Sequence, residues 1–321
     1  MRRADYVIKR VFFALITIFV AITLNFFLFR VLPGNAATSL ARVPHAGAKL
    51  RHALTVEFGL DKPKWQQYVL YLKQLVHGNL GVSYVNQQPV ASQLWTALKN
   101  TIPMVTAGTL LSIIVGVFTG VLAAWRRGSI ADHISTNAAV FAYAFPTQWI
   151  GLMLLIWLAG YLPSNGMSWP ILFSPEPFWQ HLADVAQHMI LPALTLFLTA
   201  YGSYTLVVRT SVLETLGDDY VLTARAKGLP VRRIVWRHAV RNALLPMVTM
   251  IAMDFGYIVG GVLLVEVIFS WPGIGLAMEN AILDNDYPML EGGFLVLSVA
   301  VIALNFLSDL VYFRLDPRIT E

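Results

Sequence analysis

The sequence predicts an all-α, polytopic membrane protein. It has six transmembrane helices, a small extracytoplasmic subdomain after the first, and a short cytoplasmic helix between the fourth and fifth. Three observations predict this. Of 321 residues, 57% are hydrophobic and only 13% charged, with a mean hydropathy of +0.62; soluble domains run near a quarter charged. Six apolar stretches are each long enough to cross a bilayer core of about 30 Å as a helix. The Lys and Arg residues are distributed unevenly among the segments that join them. This composition excludes a disordered chain, a disulfide-built secreted module and most nucleic-acid binders. There is no cysteine, so there is no disulfide, thiolate metal site or Cys nucleophile. The net charge is +5, and in such a chain the position of the charges matters more than their sum.

The first stretch, Val11–Leu32, carries Asn25 and Arg30. It follows Arg2, Arg3, Lys9 and Arg10 as a signal peptide would. At about 22 residues it exceeds a signal h-region of about 7–15 and reads as a retained span. The segment Pro33–Asn100 is too long for a bare loop. Within it, Trp65–Val76 has apolar residues at helical spacing and reads as an amphipathic helix. Gly78-Asn79-Leu80-Gly81 reads as a turn, and Val90–Lys99 as a second short helix. These make the extracytoplasmic subdomain, lying on the membrane surface, so that residues 1–100 form one division and 101–321 a five-helix core. The core spans are Thr101–Ala124, Thr136–Gly160 with Pro146 inside, Met189–Val208, Leu244–Ile268 and Gly292–Phe313.

Orientation follows from the cations. The segments 161–188 and 269–291 contain no Lys or Arg, whereas the alternate segments hold 15 of the 23. The positive-inside rule then puts both termini in the cytoplasm. The remaining eight lie in the long segment Arg30–Lys99, and long loops translocate largely regardless of charge. On the cytoplasmic side, Asp218-Asp219 are helix-starting residues. Arg225 and Lys227 are last-turn cations, and Gly228 with Pro230 forms a stop. A second helix from Val231 to about Asn242 places Ile234, Val235 and His238 on one face. By composition alone such a basic pair is a solvated or headgroup-facing surface.

No sequence pattern supplies chemistry. A P-loop, an H-E-x-x-H zinc motif and a G-x-S-x-G elbow are all missing. Seven scattered His form no i, i+4 pair on a span, so neither a catalytic group nor a metal site is expected. Ionisable residues inside spans mark functional sites or buried pairs by default. Arg30 and Glu266 sit at the outer ends of the first and fifth spans and are expected to pair; Asp254 lies deeper and either faces a water-filled pathway or bonds to a neighbouring helix or a second subunit. Between spans five and six, Trp271-Pro272-Gly273 breaks any helix and reads either as a segment tucked over an outer mouth or as a tight turn.

The run Asp219-Tyr220-Val221-Leu222-Thr223-Ala224-Arg225-Ala226-Lys227-Gly228-Leu229, continuing to Leu245-Pro246, resembles the cytoplasmic signature loop of ABC-importer permeases. Leu222 and Thr223 stand where that loop usually has Glu and Ala. This departure resembles the dipeptide/oligopeptide/nickel branch. Phe29–Gly34, Gly59–Pro63, Gly78–Ser83, Glu266–Gly275 and Asp286-Tyr287-Pro288 resemble its B-type subunit in order along nearly the whole chain. The resemblance implies a multi-pass subunit of a bacterial inner membrane that forms half of a translocation pathway, most often for di- or oligopeptides. Nickel or another small solute is the alternative, and an ion-coupled secondary transporter is a more distant one. It also implies a C-type permease partner, two ATPase subunits or domains, and an extracytoplasmic binding protein. No cofactor is expected in this chain, with ATP and Mg on the partners, and the loop 209–243 is implied to couple to them. By that resemblance Asp219, Tyr220, Thr223, Ala224, Arg225, Ala226, Lys227, Gly228 and Leu229 form the coupling site.

Overall fold

The computed structural model describes residues 3–31, 56, 61–169, 177–230, 233–243, 247, 250–251 and 262–315. Among these there is no β-strand, only an isolated bridge between Val82 and Pro89. The helices are α1 (Arg3–Phe26, continued by a π turn Phe27–Val31), α2 (Lys64–Val76), α3 (Val90–Trp125), α4 (Ile130–Ala144) and α5 (Thr147–Leu158). They continue with α6 (Phe178–Thr215), α7 (Asp219–Ala226), a π turn Ile234–Ala239 leading into α8 (Val240–Ala243), α9 (Ile274–Leu283) and α10 (Tyr287–Leu315). Residues 262–268 are also helical. The chain is an all-α, polytopic membrane protein, as the sequence predicts. α1, α3, α6 and α10 are each long and apolar enough to span, and α4 with α5 supplies a fifth crossing if the pair is one span. The expected fifth stretch, Leu244–Ile268, falls largely outside the described residues.

Two compact units emerge. The first gathers the described residues up to Thr101 with Pro272–Leu307. Its core joins Phe29 of α1, Val90, Leu94 and Ala97 of α3, Ile274 and Ala281 of α9, and Met289 and Leu290 of α10. α2 lies against α1 through Tyr68 and Tyr71, whose rings pack 5.1 and 5.6 Å from that of Phe26. Asp286 joins the loop before α3 to the start of α10. Its carboxylate accepts the Ser83 hydroxyl, the Tyr84 N–H at 3.1 Å and the Met289 N–H at 3.4 Å. The last of these helps to satisfy the unpaired donors of the first turn of α10. Pro288 costs nothing there, because its missing N–H belongs to that unpaired set.

The second unit comprises the described residues of Ile102–Trp271 and those from Ser308 onward. Its centre is the crossing of α3 and α6, where Val121, Ala124, Tyr204, Val208 and Val212 are buried. A Cβ at Gly116 would come 2.6 Å from Tyr204 Cβ, and one at Gly120 would come 2.7 Å from the Thr205 carbonyl oxygen. The four-residue spacing of these glycines lets the two backbones approach, as small residues do between membrane helices. The Thr119 and Thr205 hydroxyls then meet at 2.9 Å. A Cβ at Gly202 would strike the Ala139 carbonyl, so α4 seats against α6 by the same device.

Two sequence expectations need correction. The short helix Val90–Lys99 and the span Thr101–Ala124 are one continuous helix, α3. Pro103 lies inside it, but Ala97, Thr101 and Met104 are buried, and that packing outweighs the roughly 3 kcal/mol an interior proline costs. The expected third span, Thr136–Gly160, is instead broken: α4 and α5 meet at 103°. Phe145, directly before Pro146, is extended at φ −87°, ψ 135°, because the proline ring disfavours a helical residue in front of it.

Candidate functional site

The short helix α7 follows α6 after three residues. Asp218 is its N-cap at φ −70°, ψ 148° with no side-chain capping bond. Its carbonyl accepts the N–H groups of Val221 and Leu222. The Asp219 carboxylate lies in the first turn, where the helix dipole favours a negative charge. The far end is closed by a Schellman motif. Gly228 is left-handed at φ +71°, its N–H reaches the Arg225 carbonyl at 2.9 Å, and the Leu229 N–H reaches the Ala224 carbonyl at 3.3 Å. A Cβ at Gly228 would meet nothing within 4 Å, so glycine is required there by backbone conformation, not by space.

Packing divides the expected coupling residues into two sets. Val221 and Ala224 are buried with Ile234, and Leu229 and Leu216 close the same small cluster. Tyr220, Leu222, Thr223, Arg225, Ala226, Lys227 and Gly228 are exposed. Ala224 therefore faces its own hairpin and not the presented surface. The next helical segment begins when the Arg233 and Ile234 N–H groups bond to the Pro230 carbonyl. The side chain of His238 lies outside the described residues.

One part-buried contact supporting this surface was not legible in the sequence. At the start of α4, the Ser129 hydroxyl caps the Asp132 N–H. Asp132 in turn accepts two hydrogen bonds from Arg209 of α6, Nε at 2.7 Å and Nη2 at 3.0 Å. The Gly128 N–H and the Thr136 hydroxyl complete its shell. The contact clamps α6 shortly before it feeds α7. The partners are 77 residues apart, a separation at which no local spacing rule operates.

The outer candidates fall within separate units. In the first, Arg30 grips the carboxylate of Glu291, an acid the sequence reading did not single out; the expected pairing with Glu266 joins residues of different units and stays an expectation. Nε lies 3.1 and 3.2 Å from its two oxygens, and Nη2 lies 2.9 Å from one. The span expected from the sequence starts at Gly292, one residue past Glu291. α10 in fact begins at Tyr287, which turns Glu291 inward. Asn25 donates to Tyr71 at 3.1 Å and to the Glu291 carbonyl at 2.9 Å. Burial, with the Glu291 carboxylate beside it, pushes the Tyr71 phenol above its ordinary range, so Tyr71 stays neutral. The Pro272 carbonyl accepts from Asn100 at 2.9 Å, and Gly273 is the N-cap of α9.

In the second unit, Glu266 and Trp271 are fully buried. Trp271 packs with Met104, Leu191, Val262, Val265 and Phe269. Its N–H bonds the Glu266 carbonyl at 2.8 Å, and Ser270 holds the left-handed position at φ +47°. This too is a Schellman stop, made without glycine. Asp254 lies outside the described residues. Among the described residues no group of three or more His, Asp or Glu is placed to hold a metal ion.

Comparison with known proteins agrees with this architecture. The family described as binding-protein-dependent transport system inner membrane component matches residues 116–321, and its N-terminal counterpart matches residues 3–105. The dipeptide transport system permease protein of Escherichia coli is 36% identical over 320 residues, covering 94% of each chain. The di/tripeptide transport system permease protein of Pseudomonas aeruginosa is 33% identical over 331 residues, covering 98% of each. The glutathione transport system permease protein of Escherichia coli is 32% identical over 318 residues, again covering 98% of each. The chain belongs to the family of binding-protein-dependent transport system inner membrane components.

Proposed function

We propose that this chain is one transmembrane subunit of an ATP-driven importer of di- or oligopeptides in a bacterial inner membrane, with both termini cytoplasmic. It pairs with a homologous C-type permease to form the pathway. A binding protein delivers peptide on the outside. Two ATPase subunits or domains, which carry the ATP and Mg, work on the inside. The peptide assignment is supported by relatives transporting dipeptides, tripeptides and the tripeptide glutathione across nearly the full length.

The observation that carries the mechanism is the construction of α7. A helix of only 8 residues is marginal alone. Here it is fixed by the Gly228 stop at one end and by the Val221–Ala224–Ile234 cluster along one face. The opposite face, with Thr223, Arg225 and Lys227, is left exposed. A rigid, outward-facing element between two membrane helices is suited to receive a push from an ATPase and pass it to α6. Asp254, Glu266, Trp271, Pro272, Gly273 and Arg30 belong to the outer gate or pathway in this reading.

The test is peptide-stimulated ATP hydrolysis by the reconstituted complex. Gly228→Val puts a β-branched residue at φ +71°, a conformation open in practice to glycine and a few others. Insertion and binding-protein docking are expected to persist, while stimulation is lost. Gly228→Asn, which tolerates a left-handed backbone, is expected to retain most of it. Undiminished stimulation with the valine variant would mean that α7 is not the coupling element.

A further inference from the structure

α2 carries two faces, and among the described residues of its unit the partners gather on one of them. On the packed face, the Tyr68 hydroxyl meets Thr23 Oγ1 at 2.8 Å, Asn25 donates to Tyr71 at 3.1 Å, and Lys64 Nζ donates to the Arg30 carbonyl at 2.6 Å. These contacts lay the helix alongside the last two turns of the first span, not beyond its end. On the other face, Trp65, Val69 and Val76 are 67, 56 and 85% exposed. At about 100° per residue the three fall, with Leu72, within an arc of about 60°. They form one apolar stripe.

Depth decides what can cover that stripe. The first span, Val7–Val31, is 25 residues long, or about 37 Å at 1.5 Å per residue, against a hydrocarbon core of about 30 Å. Even if the whole excess projects at the C-terminal end, Thr23 remains about 4 Å inside the core edge. A helix bonded to Thr23 therefore sits at the acyl–headgroup boundary, the depth at which amphipathic helices lie. The stripe is also continuous in depth with the lipid-facing side of α1, where Val20, Leu24, Phe27 and Leu28 are about half exposed or more. Trp65 is the residue type that favours this boundary. Lys62 and Lys73 are exposed and complement headgroup phosphates.

We propose that the Trp65–Val69–Val76 face of α2 is a lipid-binding surface, embedded in the leaflet at the C-terminal end of α1. That leaflet is the outer one in the orientation proposed above. α2 is then an in-plane anchor that fixes the depth of α1 and holds the Arg30–Glu291 pair at the membrane boundary. It is not the floor of a water-exposed domain.

The chain has no cysteine, so a single cysteine placed in it, with any cysteines of the partner subunits replaced by serine, gives one labelling site. Val69→Cys, Val76→Cys and Lys73→Cys are spin-labelled in the assembled complex, in vesicles of phosphatidylcholine and phosphatidylglycerol. Collisions with oxygen, which partitions into lipid, are compared with those of a water-soluble nickel chelate. Labels at 69 and 76 are expected to favour oxygen, and the label at 73 to favour nickel. Nickel exceeding oxygen at 69 and 76 would show a water-facing surface and overturn the proposal. Low collision rates with both probes would show a protein covering the stripe and overturn it equally. The readout does not depend on transport or ATP hydrolysis, so it stands apart from the coupling test.

Discussion

Arg30 and Glu291 are 3 and 8% exposed at their side chains and bond through two guanidinium nitrogens. Removing one partner of such a buried pair takes away its share of the compensation for the other charge, at a cost of up to about 3–5 kcal/mol. Replacing both by neutral residues removes the charge altogether and is often close to neutral. Arg30→Met and Glu291→Gln are therefore each expected to lower the thermal unfolding midpoint of the detergent-solubilised protein clearly. The double variant is expected to lose much less than the sum of the two. Additive losses would show that the two side chains do not share an interaction. Trp271 illustrates a different residue-scale outcome. Its N–H completes a helix stop while its ring fills a core, so its place is set by backbone and side chain together.

At the scale of elements, α7 can be divided by experiment along the line the packing draws. Ala224 is buried against Val221 and Ile234, so Ala224→Leu overpacks the cluster at about 1–3 kcal/mol. Hydrogen–deuterium exchange across 219–229 is expected to rise in that variant. Thr223→Leu, on the exposed face, is expected to leave exchange unchanged while altering ATPase coupling. Equal exchange in both variants would mean that the cluster does not hold α7. The α3–α6 crossing obeys the same logic of close approach. Backbone contact at Gly116 and Gly120 leaves no room for a side chain on α3, and the Thr119–Thr205 bond forms only because the backbones are that near.

For the whole molecule the decisive element is the bend between α4 and α5. A 103° turn at Pro146 serves either a broken span or a re-entrant loop, and the two differ in where the flanking residues emerge. The unequal distribution of Lys and Arg argues for a crossing. Reporter fusions at Gly128 and Gly217 are expected to read cytoplasm, and those at Gly78, Gly166 and Asn280 the outside. A cytoplasmic signal at Gly166 would make α4–α5 re-entrant and overturn the six-span topology.

The sequence alone determined the class of the fold, the approximate place of most helices and the stops at Gly78 and Gly228. These depend on local quantities: apolar length, periodicity of about 3.6 residues and the φ a residue tolerates. The signature-like run from Asp219 to Leu229 was legible for the same reason, being contiguous. Tertiary structure decided which charge pairs with which. Arg30 meets Glu291 at a separation of 261 residues, and Arg209 meets Asp132 at 77; contacts that far apart in the chain follow no local spacing. It also decided that Ala224 packs inward, that Pro103 is carried within a helix while Pro146 breaks one, and that α2 lies beside the first span. In each case the outcome rests on the neighbours that surround a residue after folding, and a linear pattern does not contain them.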